Sequence, residues 1–248
     1  IMLSSAAKEY MKVYGVLVGK KPLIFTNNDS AYETAIEFKK NGINPIVLDS
    51  RKELNSDLIT EAKNLGIDIK FEHVVVNANG YRKVKSADIA KISEDKTNLG
   101  KIENIACDCI CVSGFWTPTI HLASQSGGKT KFNEDIDAFI PSQSKQNETT
   151  VGSANGTFNL NDTLKNSFEA GYELSKKITS KENKLSVPAV VEKKNSKHDK
   201  FWCVPLPKGK KYKRFLDFQN DVAVSDIELA LREGYRSIEH VKRYTTLG

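Results

Sequence analysis

The stretch KPLIFTNNDSAYETA, residues Lys21 to Ala35, decides the predicted fold of this 248-residue chain. Residues 23–25 form a short apolar run typical of a buried strand, residues 26–29 form a polar turn, and the apolar residues after Ser30 recur at helical spacing. A strand that runs directly into a helix is the repeating unit of a parallel α/β sheet. The helix then begins at the carboxyl edge of the sheet, where backbone amides can bind anions. The stretch therefore predicts an α/β fold and a candidate ligand site at the turn.

A second strand and helix of the same kind follow. The strand is predicted at 45–48, and either Ser56 or Asp57 is placed to cap the helix after it. Strand, helix, strand and helix at this spacing predict a right-handed crossover between parallel strands. Residues 1–14, which precede these elements, have the pattern of a helix.

The middle of the chain loses the helical pattern. Residues 77–80 favour a hairpin turn between strands at 72–76 and 81–84, and residues 107–112 form the most strand-like run that follows. Helical spacing returns near Leu160.

Two further helices are predicted toward the C-terminal end. Asn161 or Asp162 is placed to cap a helix that runs toward Ile178, and Ser225 is placed to cap another that Gly234 ends. These patterns predict a small helical unit after the α/β region.

Composition sets the class of protein. The chain is 39% hydrophobic, which is enough for a substantial core, and no apolar run is long enough to span a bilayer. The first residues do not form a signal peptide. Cys107, Cys109 and Cys111 alternate, so on a strand all three would project from one face as small buried hydrophobes, with a metal or redox site as the alternative. We expect a cytoplasmic protein without a membrane anchor or a metal site.

The formal charge of +6 comes from one segment. Residues 176–214 contain thirteen lysines and arginines but only Glu182, Glu192 and Asp199 as acids, so the rest of the chain is mildly acidic. A solvated, lysine-rich connector is expected here, rather than a nucleic-acid site.

The turn at residues 26–30 leaves two interpretations open. A dinucleotide loop needs glycines where the backbone approaches pyrophosphate, but this turn reads TNNDS, and Asp29 would repel a phosphate. In favour of a nucleotide site, Asp49 lies about twenty residues on, where an acid can bind a ribose hydroxyl. The alternatives are a functional nucleotide site and a vestigial or non-nucleotide pocket in which Asp49 is a solvated carboxylate.

Three other stretches suggest chemistry. The small residues 152–156 could let backbone amides reach a phosphate, or could simply form a tight turn. The sequence KRYTTLG at 242–248 could hold a phosphate, or could complement the dipole of its own helix. His121 follows the segment that Pro118 starts and is expected to be a hydrogen-bonded structural histidine.

Four blocks, in order, resemble the alpha subunit of heterotetrameric sarcosine oxidase. They are FTNNDSAY (25–32), CDCICVSGFWTPTIHLASQSGGK (107–129), VGSANG (151–156) and DFQNDVAVSDIELALREGYRSIEHVKRYTTLG (217–248). The resemblance covers nearly the whole chain. It implies an internal fragment, with a glycine-rich dinucleotide loop upstream and a folate-binding domain downstream.

The resemblance implies an α/β fold of the parallel-sheet dinucleotide-binding type, similar to pyridine nucleotide-disulfide oxidoreductases, followed by a small helical domain. The implied domains are the end of a first dinucleotide-type domain (1–19), an inserted nucleotide-type α/β domain (20–88), the return to the first domain (89–180), a basic connector (181–213), and an incomplete helical domain (214–248). That last domain resembles iron–sulfur domains of related dehydrogenases. Asp217 and Gln219 stand where their cysteines would be, so a cluster is not expected.

The resemblance also implies cofactors. Bound NAD would contact Gly152, Ser153, Ala154, Gly156 and Leu160. Flavin mononucleotide (FMN), shared with the beta subunit, would place its phosphate near Lys242, Arg243, Thr245 and Thr246. FAD and tetrahydrofolate would bind elsewhere in the full enzyme. No catalytic residue is expected in this chain.

The implied activity is that of a flavoprotein oxidoreductase acting on CH–NH groups. Such an enzyme oxidatively demethylates sarcosine to glycine, transfers the one-carbon unit to tetrahydrofolate and reduces oxygen to hydrogen peroxide. It would assemble with beta, gamma and delta subunits. The alternatives are a related proline- or opine-type amine dehydrogenase subunit and a non-catalytic nucleotide-binding scaffold.

Overall fold

The computed structural model describes residues 1–179, 186–190, 199–210 and 212–247. Its first part is a five-stranded parallel sheet with the strand order β1-β8-β2-β3-β4. The strands of this sheet are β1 (Met2–Leu3), β2 (Pro22–Thr26), β3 (Ile46–Asp49), β4 (Asp68–Phe71) and β8 (Cys109–Ser113). The helices that connect them are α1 (Ser4–Tyr14), α2 (Ser30–Lys40) and α3 (Asp57–Asn64). The predicted α/β fold and its first two crossovers are confirmed.

The local sequence explains the helix ends of this sheet. The Ser56 hydroxyl accepts a hydrogen bond from the Ile59 amide at 3.4 Å, as predicted for the cap of α3. Helix α2 ends at Lys40 with Asn41 as its C-cap, and Gly42 then turns the chain with a φ of 78°. Tyr32 and Phe38 of α2 are fully buried against the sheet, so α2 belongs to the larger of two hydrophobic cores.

An antiparallel sheet of three strands follows β4. Its strands are β5 (His73–Gly80), β6 (Val84–Ile92) and β7 (Leu99–Ala106). The predicted hairpin is confirmed, but its turn lies at 81–83 rather than at 77–80. Asn77 pairs with Asp88, and the Asn79 amide donates to the Asp88 carboxylate at 2.8 Å, so these residues are held in the strand.

The next segment carries a short helix, a hairpin and a long helix. These are α4 (His121–Gln125), β9 (Lys129–Asn133), β10 (Ala138–Gln143), a 3₁₀ helix (Gly152–Asn155) and α5 (Leu160–Thr179). The predicted long helix is confirmed, but its cap is Asn159, not Asn161 or Asp162. The Asn159 side-chain oxygen accepts the Asp162 amide at 2.7 Å.

The C-terminal unit contains β11 (Phe215–Asp217), β12 (Val222–Ala223), α6 (Val224–Arg232) and α7 (Ile238–Thr245). The small helical region predicted here is confirmed. Ser225 lies inside α6 and does not cap it. The Asp226 carboxylate instead accepts the Ala223 amide at 2.8 Å and fixes the start of the helix.

The main sheet continues across the domain boundary predicted at residue 88. Strand β6 runs through that position, and β8 pairs with β2 from Pro22 opposite Cys109 to Thr26 opposite Ser113. The five-stranded and three-stranded sheets are therefore both built from the first 113 residues. The assignment of 1–19 and 89–180 to another domain stays a prediction. Residues 181–185, 191–198 and 211 of the predicted connector lie outside the described residues. In the described chain, no helix is long and apolar enough to cross a membrane.

Candidate functional site

Two polar turns that are far apart in the sequence line one cleft of about 600 Å³. One is the turn between β2 and α2, which contributes residues 28–30. The other comprises the 3₁₀ helix and the residues after it, which contribute Ser153 and residues 156–159. Trp116, Leu58, Glu33 and Asp162 complete the lining. The turn at 26–30 and the loop at 152–156, which the sequence presented as separate candidates, therefore belong to one candidate site.

Side-chain hydrogen bonds hold the first turn closed. Asn28 is 5% exposed, and its Nδ2 atom donates to the Gly114 carbonyl at 2.5 Å. Its Oδ1 atom accepts from the Ser30 amide at 3.0 Å and from the Ser30 hydroxyl at 2.6 Å. The asparagine thus links the end of β2 to the residue after β8 and fixes the start of α2.

Asp29 and Asp49 share one buried arginine. The Arg51 Nη2 atom lies 2.8 Å from Asp29 Oδ1 and 2.7 Å from Asp49 Oδ2, and all three side chains are at most 4% exposed. The Tyr32 hydroxyl donates to Asp49 Oδ2 at 2.8 Å. Burial, together with the Asp49 carboxylate, raises the pKa of Tyr32, so the hydroxyl stays protonated.

This network changes the interpretation of both carboxylates. The expectation that Asp49 is a solvated strand-end carboxylate is wrong, because its oxygens are buried and bonded to Arg51 and Tyr32. They face those two side chains and not a ribose. The charge of Asp29 is likewise compensated by Arg51, which weakens the predicted repulsion of a phosphate.

Backbone geometry accounts for both glycines of the second turn. Gly152 and Gly156 have φ values of 66° and 80°, in the left-handed region. A Cβ on Gly156 would lie 2.7 Å from Ile136 Cδ1 and 3.0 Å from Ile140 Cγ2. The amides of Gly156 and Thr157 donate to carbonyls of the turn itself, at 3.1 Å each. The glycines are therefore required by the fold, whether or not a ligand binds.

The predicted NAD contacts separate into two groups. Ser153 is exposed and lines the cleft, together with Gly156. Gly152 is buried, Ala154 is half-buried, and Leu160 is 55% exposed in the first turn of α5, and none of these three lines the cleft. A role for all five residues in cofactor binding stays a prediction, and Ser153 is the best placed of them.

Two aromatic side chains line the cleft, although no sequence pattern marked them as site residues. Trp116 and Phe158 are 56% and 39% exposed and line it from two sides. Glu33 is paired with Lys8 at 2.5 Å, and Asp162 is bonded to Asn159. Among the described residues, no lysine or arginine lines the cleft. The signal for Trp116 was its place just after β8, at the carboxyl edge of the sheet.

The predicted FMN contacts lie at the C-terminal end of α7. The Thr245 hydroxyl donates to the Val241 carbonyl at 2.7 Å, and the Thr246 hydroxyl donates to the Thr245 carbonyl at 2.6 Å. Both hydroxyls are thus used by the backbone, whereas Arg243 is exposed and Lys242 is half-buried. At a helix C-terminus the two cations can also complement the helix dipole, so FMN contacts at these four residues stay a prediction.

The cysteines and His121 do not form a site. Cys109 and Cys111 share a face of β8 with their sulfurs 3.8 Å apart, but Cys107 packs in the second core with Ile110, so the prediction of one common face is wrong for it. Burial raises the pKa of Cys107 to about 11. His121 is exposed, and no described residue hydrogen-bonds to its ring, so its predicted structural role is wrong. No group of three or more metal-ligating side chains occurs in the described part of the chain.

The fold defines a class of protein. It is an α/β fold of the parallel-sheet dinucleotide-binding type, in which a three-stranded antiparallel sheet follows the parallel one. Among solved structures, the L-proline dehydrogenase of P. horikoshii is 18% identical, with 97% of this chain and 43% of that chain covered and a TM-score of 0.49. The T. acidophilum thioredoxin reductase is 14% identical, with 62% and 53% covered and a TM-score of 0.43.

Sequence relatives narrow the class. The family profile described as the sarcosine oxidase A3 domain matches residues 211–248. Sarcosine oxidase subunit alpha of Rhizobium meliloti (strain 1021) is 32% identical over 254 residues, which is 100% of this chain and 24% of that protein. The subunit alpha of Corynebacterium sp. (strain P-1) is 30% identical over 258 residues, covering 100% and 26%. The predicted resemblance is confirmed: the chain is similar over its whole length to sarcosine oxidase alpha subunits and spans about a quarter of theirs.

Proposed function

We propose that this chain is the nucleotide-cofactor-binding portion of a flavoprotein oxidoreductase of the sarcosine oxidase type. The observation that carries the proposal is the convergence of two turns, each at a helix start, on one cleft. The cleft lies within the range of about 300–1,000 Å³ that is usual for small-molecule sites. The start of α5 faces it at the positive end of the helix dipole, which favours a negatively charged ligand group.

The proposed cofactor is NAD. Trp116 and Phe158 present ring surfaces on which a nicotinamide or adenine ring can stack, and the Ser153 hydroxyl can bond to a ribose. The charge of Asp29 is compensated by Arg51, and the start of α5 carries the positive end of its dipole, and both support binding of a phosphate at the cleft. When bound, NAD would supply either hydride chemistry or a structural support, while this chain binds it and orients its rings.

Ser153 offers the sharpest test, because its exposed side chain can be enlarged without touching the glycines. The chain carrying Trp202→Phe keeps Trp116 as its one tryptophan, so quenching of its fluorescence reports on the cleft. Titration with NAD should give saturable quenching, and Ser153→Phe should weaken it about tenfold or more by filling the cleft. Ser5→Phe, an equally exposed change on α1, is the matched control and should leave binding unaltered.

Two results would overturn the cofactor assignment. One is the absence of saturable NAD binding by a folded chain. The other is equal affinity in the Ser153→Phe and Ser5→Phe variants, which would place any bound NAD outside the cleft.

For the larger protein, we propose the activity implied by the relatives. That activity is CH–NH oxidation of sarcosine to glycine, with transfer of the one-carbon unit to tetrahydrofolate and formation of hydrogen peroxide, in an assembly with beta, gamma and delta subunits. FAD and tetrahydrofolate would bind elsewhere in that assembly, and FMN would lie at the interface with beta. Lys242 and Arg243 are its proposed phosphate contacts here. Sarcosine-dependent peroxide production by the assembled enzyme tests this activity, and turnover of proline or an opine alone would favour the alternative amine dehydrogenase.

The C-terminal unit supports an oxidase without an iron–sulfur cluster. Asp217, at one of the two cysteine positions of related domains, accepts the Gln219 amide at 2.8 Å and the Asn220 side-chain amide at 2.7 Å. The Asp217 carboxylate therefore stabilises a turn at the position where a related domain has a cysteine ligand. A subunit that binds NAD in the cleft but supports no amine oxidation would favour the third possibility, a non-catalytic scaffold.

A further inference from the structure

A second pocket, of about 360 Å³, lies at the carboxyl ends of β3 and β4. We call it the Ser50 pocket, and its polar lining comprises Ser50, Arg51, Lys52, Glu72, Ser93, Glu94, Lys96 and Asp199. Ser50 is 3% exposed, and its hydroxyl oxygen has no hydrogen-bond partner in the described chain. Buried hydroxyls are normally bonded, so an unpartnered one on a residue that lines a pocket points to a bonding group that binds there.

The pocket contains cations whose present partners can be exchanged. Lys52 pairs with Glu94 at 2.5 Å, and both side chains are more than 60% exposed. Lys96 pairs with Asp199, and each of these is about one quarter exposed. Exposed ion pairs contribute little stability, so a doubly charged anion can compete for the lysines. Arg51 differs, because Asp29 and Asp49 already compensate its charge within the fold.

Asp199 comes from a remote part of the chain. It begins the segment 199–204, which we call the strap. Its amide donates to the Asn27 carbonyl at 3.1 Å, and the Asn27 side-chain amide donates to the Asp199 carbonyl at 2.9 Å. Farther along the strap, Trp202 stacks on Phe115 with ring centroids 4.6 Å apart. The strap thus crosses the end of β2 and presents the Asp199 carboxylate to Lys96.

We propose that the Ser50 pocket binds a phosphate group and that Asp199 acts as an internal competitor in its place. The carboxylate of Asp199 satisfies Lys96 as one phosphate oxygen would, whereas the Ser50 hydroxyl is left for another. The carboxyl edge of a parallel sheet is also where such ligands bind in this class of fold. The site is separate from the cleft of Ser153, since the two linings share no residue. Binding requires that the Asp199 carboxylate releases Lys96.

Calorimetric titration of the chain with inorganic phosphate and with adenosine monophosphate (AMP) tests the proposal. Asp199→Asn removes the competing charge and should tighten binding of either probe roughly tenfold. The reason is that Lys96 no longer has to break an ion pair with Asp199 before it binds phosphate. Asp68→Asn makes the same chemical change on an exposed residue at the start of β4 and is the matched control. Lys96→Met added to Asp199→Asn should abolish the gain.

Ser50→Ala separates ligand binding from a packing role. Removal of an unpartnered hydroxyl should leave the free energy of unfolding unchanged or raise it, while the affinity for phosphate falls severalfold. Equal affinity in Asp199→Asn and Asp68→Asn, or no saturable binding of either probe by any variant, would overturn the proposal.

Two comparisons identify the ligand and its site. AMP that binds more tightly than phosphate indicates a nucleotide, equal affinities indicate a free phosphate, and adenosine that binds as well as AMP would contradict phosphate recognition. The Ser153→Phe variant should retain phosphate binding, so failure of the NAD proposal and failure of this one are distinguishable.

Discussion

The two turns that line the cleft are closed by different hydrogen bonds, which come from side chains in the first turn and from the backbone in the second. In the turn at 26–30, buried polar side chains close the backbone, and Arg51 compensates the charge of Asp29. In the turn at 152–156, the backbone closes on itself, and left-handed glycines allow the close approach of Ile136. Both turns nevertheless contribute to one cleft.

The difference shows that composition does not identify the ligand-binding turn. Glycines favoured the second turn as a phosphate cradle, but their positions are explained by φ and packing. Carboxylates disfavoured the first turn, but Asp29 and Asp49 are paired with an arginine that stands beyond the predicted turn. The exposed groups that remain at the cleft, such as Ser153 and Trp116, are the ones free to act on a ligand.

Arg51→Met should break the first turn and gives the largest expected effect. It would leave Asp29 and Asp49 buried without their shared cation, and loss of one partner of a buried pair typically costs about 3–5 kcal/mol. Urea unfolding of the chain, followed by circular dichroism, measures the loss.

Lys52→Met is the control for this prediction. It removes a neighbouring cation whose ion pair with Glu94 is exposed, so the unfolding midpoint should not change measurably. Equal midpoints for Arg51→Met and Lys52→Met would show that the buried network does not hold the first turn.

Gly156→Ala should break the second turn with the next largest effect. A left-handed alanine costs about 1–2 kcal/mol, and a Cβ 2.7 Å from Ile136 Cδ1 adds about 1–3 kcal/mol of overpacking. Gly42→Ala has a similar φ of 78° and open space around its Cβ, so it should show the backbone cost alone. The difference between their unfolding free energies in urea measures the packing term, and no difference would mean that the hairpin of β9 and β10 yields to the methyl group.

The sequence was sufficient for the elements whose signals are local. The strand and helix of residues 21–40 and the cap at Ser56 were predictable because each rests on neighbouring residues. The cap of α5 was misplaced by two or three residues because Asn159, Asn161 and Asp162 are all capping types. The hairpin turn was misplaced because side-chain bonds between Asn79 and Asp88 lie across strands, beyond any local pattern.

The site was predictable only in part, because its bonds join distant residues. Asn28 donates to Gly114 across 86 positions, and Arg51 bonds to Asp29 across 22. No periodicity encodes such contacts, so the solvated Asp49 expected from the sequence proved to be buried. Likewise, the two turns gave no sign in sequence that they share a cleft. Ser153 was found because small residues after a strand are a local signal, whereas Trp116 required the sheet edge to be built first.

Tyr32→Phe removes a single hydrogen bond beneath the first turn and should change the free energy of unfolding least. Loss of the hydrogen bond to the Asp49 carboxylate should lower the unfolding free energy by about 1–2 kcal/mol at neutral pH. The pH dependence is more specific. Burial and Asp49 raise the pKa of folded Tyr32 above the unfolded value of about 10, so the unfolded state loses this proton first and the hydroxyl's stabilisation declines as pH rises above about 10.

Tyrosinate absorbance follows the ionisation of the Tyr32 hydroxyl directly, because Tyr32→Phe removes its contribution. Tyr32→Phe should remove a group that ionises only as the chain unfolds, and it should flatten the alkaline loss of stability. Tyr81→Phe, whose ring is 95% exposed, removes no buried hydroxyl and should leave the alkaline slope unchanged. If Tyr32→Phe leaves the alkaline slope as unchanged as Tyr81→Phe does, the buried hydroxyl of Tyr32 does not stabilise the first turn, and the Arg51 ion pairs hold it without that hydrogen bond.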